Sequence, residues 1–183
     1  MKTHTPSLLR SLLIPAVALT LQAAPALAAD ATDAIAVLHP TEGNGVSGVL
    51  RFEPVADGKV HVTGTVSGLT PNGEQAIHIH EFGDCSASDG TSAGGHYNPE
   101  KHEHALPVKE VRHAGDLGNL KANAKGVATL DLTVDNFSIG GEKNPIIGRG
   151  VIVHVKLDDG GQPTGNAGAR VACGVIGWAN PGK

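Results

Sequence analysis

Aromatic side chains are scarce in this chain: three Phe, one Trp and one Tyr. Any core must therefore be built mostly from Val, Ile, Leu and Ala. Positive charge is scarce too, with 14 Lys and Arg against 18 Asp and Glu. That balance argues against a general nucleic-acid binder, which needs basic surface to replace phosphate counterions. No stretch sustains a helical period, and no internal repeat is visible. Cysteine occurs only at Cys85 and Cys173, which limits the chain to one internal disulfide. Beyond residue 27 no apolar run is long enough to cross a bilayer as a helix.

The one longer apolar run, residues 12–27, follows a positive start at Lys2 and Arg10 and ends at Ala26-Leu27-Ala28. A charged start, an apolar stretch and a small-x-small ending are the pattern of a secretory signal peptide. Pro15 and Gln22 interrupt the run, which is also short for a membrane anchor. The expected organisation is a signal peptide over residues 1–28 and one domain over residues 29–183. That domain keeps 155 of the 183 residues, enough for a real core. The leader takes away two basic residues and no acid, leaving 12 basic against 18 acidic, a net charge of −6 with histidine neutral. Export places the mature chain in a periplasmic or extracellular space, where an even cysteine count suggests a disulfide. Two free buried thiols are the alternative. A Cys85–Cys173 bridge would close a long loop, worth roughly 4–5 kcal/mol on the chain-entropy model.

Strand periodicity fills the rest. An apolar run at 34–38 stops at Pro40 and Gly43, and residues 49–52 follow. Residues 59–66 alternate, with Val60, Val62, Gly64 and Val66 on one face and His61, Thr63 and Thr65 on the other. After the Pro71-Asn72-Gly73 turn come 75–82, 127–134, 146–155 and 169–178. Short strands between Gly, Pro and Asn turns indicate an antiparallel sandwich or barrel.

Six of the ten histidines fall within residues 78–113: His78, His80, His96, His102, His104 and His113. Imidazole binds zinc, copper, iron and nickel, and a carboxylate can complete a zinc set. A lone histidine is usually a surface or satisfied core residue. Six in one stretch with little lysine point to metal. In a strand, His78 and His80 share a face, with Ile77 and Ile79 opposite. His154 lies in the apolar strand 151–155 and needs a partner, as a third ligand or as a satisfied core residue. The segment 83–116 is too long and too rich in Gly, Ser and Pro for a simple hairpin loop, and a metal would order it. His96, His104, His113 and Asp116 offer three nitrogens and one oxygen, a suitable tetrahedral set for zinc.

Four separated motifs carry a family resemblance. They are His78-Ile79-His80-Glu81-Phe82-Gly83-Asp84, Gly95-His96-Tyr97-Asn98-Pro99, His113-Ala114-Gly115-Asp116-Leu117-Gly118-Asn119, and the run 165–177 from Gly-Asn-Ala-Gly to Gly-Val-Ile-Gly. In this order, and across nearly the whole mature chain, they resemble copper–zinc superoxide dismutase. The resemblance implies an all-β fold: an eight-stranded Greek-key β-barrel, or flattened immunoglobulin-like sandwich, with two long functional loops. It implies copper on His78, His80, His96 and His154, and zinc on His96, His104, His113 and Asp116, with His96 shared. Asp158 matches an aspartate that links a copper histidine to a zinc histidine. Arg170 matches an arginine that binds the superoxide anion beside copper. The cysteine pair would tie the loop after His80 to the strand bearing Arg170. The implied activity converts superoxide to dioxygen and hydrogen peroxide, with His96 supplying a proton.

His102 and His104 both fall near the expected zinc ligand, and spacing from His96 favours His104. The run from His154 to Arg170 is shorter than in eukaryotic members. Gln162-Pro163-Thr164 stands where those carry a steering lysine, so steering needs another positive source. Ile35, Val37, Val49, Phe82, Gly83, residues 146–148 and residues 175–178 fall where eukaryotic-type members dimerise. A homodimer is expected, with Trp178 central to the patch. An exported copper or zinc buffer and a sandwich with one stabilising zinc remain as other readings. Neither needs Arg170 or Asp158.

Overall fold

The computed structural model describes residues 1–2 and 32–181. Apart from Met1 and Lys2, the expected leader lies outside the described residues. Eight strands follow: β1 (Ala34–Pro40), β2 (Ser47–Pro54), β3 (Val60–Ser67), β4 (Glu74–His80), β5 (Asp116–Lys121), β6 (Ala128–Val134), β7 (Gly150–His154) and β8 (Arg170–Trp178). They lie in the order β5-β4-β7-β8-β1-β2-β3-β6, every pair antiparallel. The two edge strands, β5 and β6, touch and nearly close a barrel. The connections β3 to β4 and β6 to β7 cross from one side of the barrel to the other, which is the Greek-key pattern expected. No helix among the described residues is long and apolar enough to cross a membrane.

Alternation builds the core. Ala34, Ala36 and Leu38 of β1, Leu50 and Phe52 of β2, and Val60, Val62 and Val66 of β3 all point inward and are buried. Ile77, Ile79, Leu120, Ile146 and Ile176 fill the barrel with them, and Phe52, Phe137 and Tyr97 are the aromatics of the cluster. Each large aliphatic side chain buried this way contributes roughly 1.5–3 kcal/mol.

The largest differences from the sequence expectation are a strand it lacks, β5, and a later start to β7. β5 escapes periodicity because its first three residues and Leu120 are all buried, so apolar and polar positions do not alternate. The 146–155 run is strand only from Gly150. Ile146 is apolar because it plugs the core from a turn, its N–H shared between Ser138 O and Ile139 O, each at 3.1 Å. Cys85 and Cys173 form the expected bridge, which joins the loop after β4 to β8.

Candidate metal centre

β4 turns Ile77 and Ile79 into the barrel and His78 and His80 outward, yet all four are buried. The outer face is covered by the connections that follow β4 and β7. β7 ends at His154, where its pairing with β8 shifts register between Val153 and His154. A second shift falls between Ala76 and His78 in the β4–β5 pair. Bulges re-aim side chains, and each of these adjoins a histidine of the site.

An isolated bridge to His80 brings in His96. Tyr97 N–H donates to Ile79 O, and Gly115 N–H to Tyr97 O, each at 2.9 Å. This three-layer approach requires glycine at position 115, because a Cβ there would collide with the Ile79 carbonyl oxygen.

The side chains assemble into two groups that share His96. His78, His80, His96 and His154 form one, and His96, His104, His113 and Asp116 form the other. Within each group the candidate ligand atoms lie within 4.8 Å of one another. In the second group Asp116 Oδ1 lies 3.1 Å from His96 Nδ1, 3.0 Å from His104 Nδ1 and 3.3 Å from His113 Nδ1. In the first, His80 Nε2 and His154 Nε2 face each other at 3.4 Å. Their Nδ1 atoms donate to Gly94 O at 3.0 Å and Gly168 O at 3.1 Å, which leaves the Nε2 lone pairs turned into the group.

Asp158 spans the groups, with Oδ2 at 2.9 Å from His78 Nε2 and Oδ1 at 2.9 Å from His104 Nε2. An ionised carboxylate only accepts, so both rings carry hydrogen at Nε2 and direct Nδ1 inward. Both Nδ1 atoms are buried without a hydrogen-bond partner. The 3.0 Å approach of His104 Nδ1 to Asp116 Oδ1 is too poorly directed to serve as one. A buried unsatisfied nitrogen costs roughly 1–3 kcal/mol, and a cation in each group, taking that group's Nδ1 as a ligand, would remove the cost. The donor set fits copper in a nitrogen group and zinc in a group of three nitrogens and one carboxylate.

The electrostatics agree with a cation site. Burial pushes His80 down to about 2, His154 to about 3 and His96 to about 4, so these imidazoles are neutral ligands at pH 7. Burial alone would raise the Asp116 carboxyl, but His104, His113 and His96 hold it well below the usual carboxylate range. Burial disfavours charge on His104 as well, yet Asp116 and Asp158 outweigh it and raise that ring to about 9. A metal entering here displaces the proton.

Arg170 lies across from His154 in the β7–β8 register. Its Nη1 and Nη2 donate to Gly90 O and Gly94 O, each at 2.6 Å. The Gly94 carbonyl thus holds both Arg170 and His80. His102 stays outside the cluster, its side chain 36% exposed and its Nδ1 donating to Arg112 O at 3.1 Å.

Four amides that sequence reading gave no ligand-holding role clamp the ligand backbones. Gln75 Nε2 donates to His154 O at 2.8 Å. Asn119 brackets Asp158, accepting its N–H at 2.7 Å and donating to its carbonyl at 2.9 Å. Gln162 does the same for His104, at 3.1 and 2.7 Å. Asn136 Nδ2 donates to His113 O at 3.1 Å. No local pattern marks them, because each partner is distant in sequence. Gly165, at φ 74°, lets the loop close over this layer; a Cβ there would collide with the Asp158 carboxylate and lie 2.8 Å from His104 Nε2.

Comparisons with known proteins agree with this geometry. The family model described as copper/zinc superoxide dismutase matches residues 46–176. A curated relative, superoxide dismutase [Cu-Zn] of Onchocerca volvulus, is 44% identical over 156 residues, covering 79% of this chain and 95% of the relative. A solved structure titled as that of the clock protein EA4 superposes with a TM-score of 0.74 at 44% identity, covering 81% of this chain and 96% of that one. With the barrel, the two buried histidine groups and these matches together, the chain belongs to the copper/zinc superoxide dismutase family and is a superoxide dismutase that uses copper and zinc.

Proposed function

We propose that His78, His80, His96 and His154 hold the copper, and that His96, His104, His113 and Asp116 hold the zinc, with His96 shared. The observation that carries this assignment is the pair of buried, unpartnered Nδ1 atoms on His78 and His104, one in each group. Copper held there would supply one-electron redox chemistry, and zinc would be redox-inert.

The chain's own residues bind the anion, orient the ligands and deliver protons. Arg170 binds superoxide through its fixed guanidinium and complements its charge. Asp158 locks the His78 and His104 rings and so couples the two groups. While its Nε2, the nitrogen away from Asp116 and His113, is free of copper, His96 would take a proton from solvent there and pass it to the reduced oxygen. Solvent provides the second proton, so two superoxide ions and two protons give dioxygen and hydrogen peroxide. A metal buffer needs no Arg170 aimed this way, which favours the enzyme.

Metal analysis paired with a superoxide-decay assay tests the assignment. His104→Ala should lose zinc and His102→Ala should keep it; the reverse result moves the ligand by two residues. Arg170→Ala should lower activity with copper retained, and Arg170→Lys should keep part of it. An unchanged rate for the alanine variant at low salt removes Arg170 from substrate binding.

Export and assembly complete the proposal. Residues 1–28 act as a cleaved leader, and residues 29–183 work in a periplasmic or extracellular space. The Cys85–Cys173 bridge supports an oxidising compartment. Secreted protein whose N-terminus is not Ala29 would refute the cleavage site.

The mature chain forms a homodimer. Val175, Val37 and Val49 are exposed and fall in one row across β8, β1 and β2. Ile146 leaves the expected patch because it is fully buried. Trp178 sits at the end of β8 over Gly140 rather than in that row. A contiguous apolar row of this kind suits a two-fold contact. Sedimentation of a single monomeric species at micromolar concentration would sink this part.

A further inference from the structure

A hollow of about 180 Å³ opens beside the disulfide, with Cys85, Cys173, His39, Thr41, Glu42 and Ser88 among its walls. His39 lies directly opposite Cys173 in the β1–β8 register, where facing side chains stand roughly 4.5–5.5 Å apart at Cβ. Both point to the outer face of the sheet, because the neighbours Leu38 and Ala172 fill the core. Cys85 is exposed, while Cys173 is buried. The wall is braced, since Glu42 N–H donates to Ser88 O at 2.8 Å and Thr41 Oγ1 to Arg170 O at 2.8 Å. Its charge is acidic: Glu42 lines the hollow and Asp84 precedes Cys85.

We infer that this hollow is a thiol–disulfide exchange site for small cationic thiols, with His39 assisting departure of Cys173. The incoming thiolate bonds to Cys85 Sγ, the Cys85–Cys173 bond breaks, and its electron pair goes to Cys173 Sγ. Protonated His39 stabilises that thiolate and gives it a proton. The products are a mixed disulfide on Cys85 and a thiol on Cys173. Cys85 is the sulfur attacked because access decides the site of attack, and a cationic neighbour makes Cys173 the better leaving group. Glu42 and Asp84 attract a positively charged thiol and repel an anionic one.

The exchange has a consequence at the metal centre. The loop after Cys85 carries the Gly90 and Gly94 carbonyls that hold Arg170. Opening the bridge removes the covalent tie between that loop and the strand bearing Arg170.

The test uses the oxidised, fully metallated protein with cysteamine and, for comparison, 3-mercaptopropionate. Peptide mass analysis locates the adduct, and alkylation locates the free thiol. The expected result is an adduct on Cys85 and a free thiol on Cys173, with a preference for cysteamine roughly threefold to tenfold greater than the same two thiols show toward a free small-molecule disulfide, which cancels their different thiolate fractions. His39→Gln should slow the cysteamine reaction about tenfold, and His39→Lys should restore most of it. Superoxide decay by the oxidised His39→Gln protein should be unchanged. If His39 were merely structural, its loss would loosen the hollow and speed exchange. An unchanged or faster rate in His39→Gln, or an adduct on Cys173, overturns the proposal. A cysteamine preference that survives in Glu42→Gln removes Glu42 as the source of selectivity.

Discussion

The two sides of the barrel use their outer faces differently. On β1, β2 and β3 the outward side chains, such as Val37, Val49 and Thr65, meet solvent, while the inward ones pack the core. On β4 every residue after Glu74 is buried, and on β7 every residue is. The outer face of β4 and β7 is covered by long loops, and histidines stand where a buried sheet would carry aliphatics. Packing of apolar side chains therefore holds the first side by itself. The second side encloses unpaired ring nitrogens and an ionised carboxylate, and a bound cation must complete it. Binding to the folded state alone makes that side's stability depend on metal concentration.

The largest test of this contrast is His154→Ala. Superoxide decay should fall to background while most zinc stays bound. Hydrogen exchange should rise in residues 155–169 and leave β1 to β3 protected; loss of protection in β1 to β3 would mean the two sides are not separable. Next comes the apolar side. Phe52 is fully buried, so Phe52→Ala should cost about 3–5 kcal/mol in denaturant unfolding. The copper spectrum of the folded protein should stay unchanged, because β2 carries none of the ligands.

Asp158→Asn should act on the loop side alone, lowering metal affinity roughly 10–100-fold in chelator competition. An amide can accept through only one atom, so one of the two rings loses its fixed tautomer. Equal affinities in both proteins would show that backbone clamping by Asn119 and Gln162 is sufficient. The smallest effect belongs to the solvent face. His61 and Asp131 form a cross-strand pair at 2.9 Å with Asp131 largely exposed, and His61→Ala should shift unfolding by no more than about 0.5–1 kcal/mol.

Much of the site was legible along the chain because its elements are local. His78 and His80 follow the period of a strand, apolar alternation marked β3 and β6, and a short apolar run marked β1. β5 was not legible, since a strand buried on both faces has no alternation to read. Gln75, Asn119 and Gln162 were not legible for another reason: they bond to His154, Asp158 and His104, which lie 79, 39 and 58 residues away. Their type gave no hint of a partner.

What the amino-acid sequence determined alone is the inventory and its local direction: the histidine cluster, the strand period that puts His78 and His80 on one face, and the turns between strands. Tertiary structure decided which of His102 and His104 enters the cluster, that Trp178 packs over Gly140, and that one carboxylate, Asp158, joins two histidines 80 and 54 residues distant. The division has a physical cause. Backbone geometry repeats over two residues and shows in any short window, whereas a shared carboxylate or a covered face exists only after loops from distant strands have closed over the same sheet.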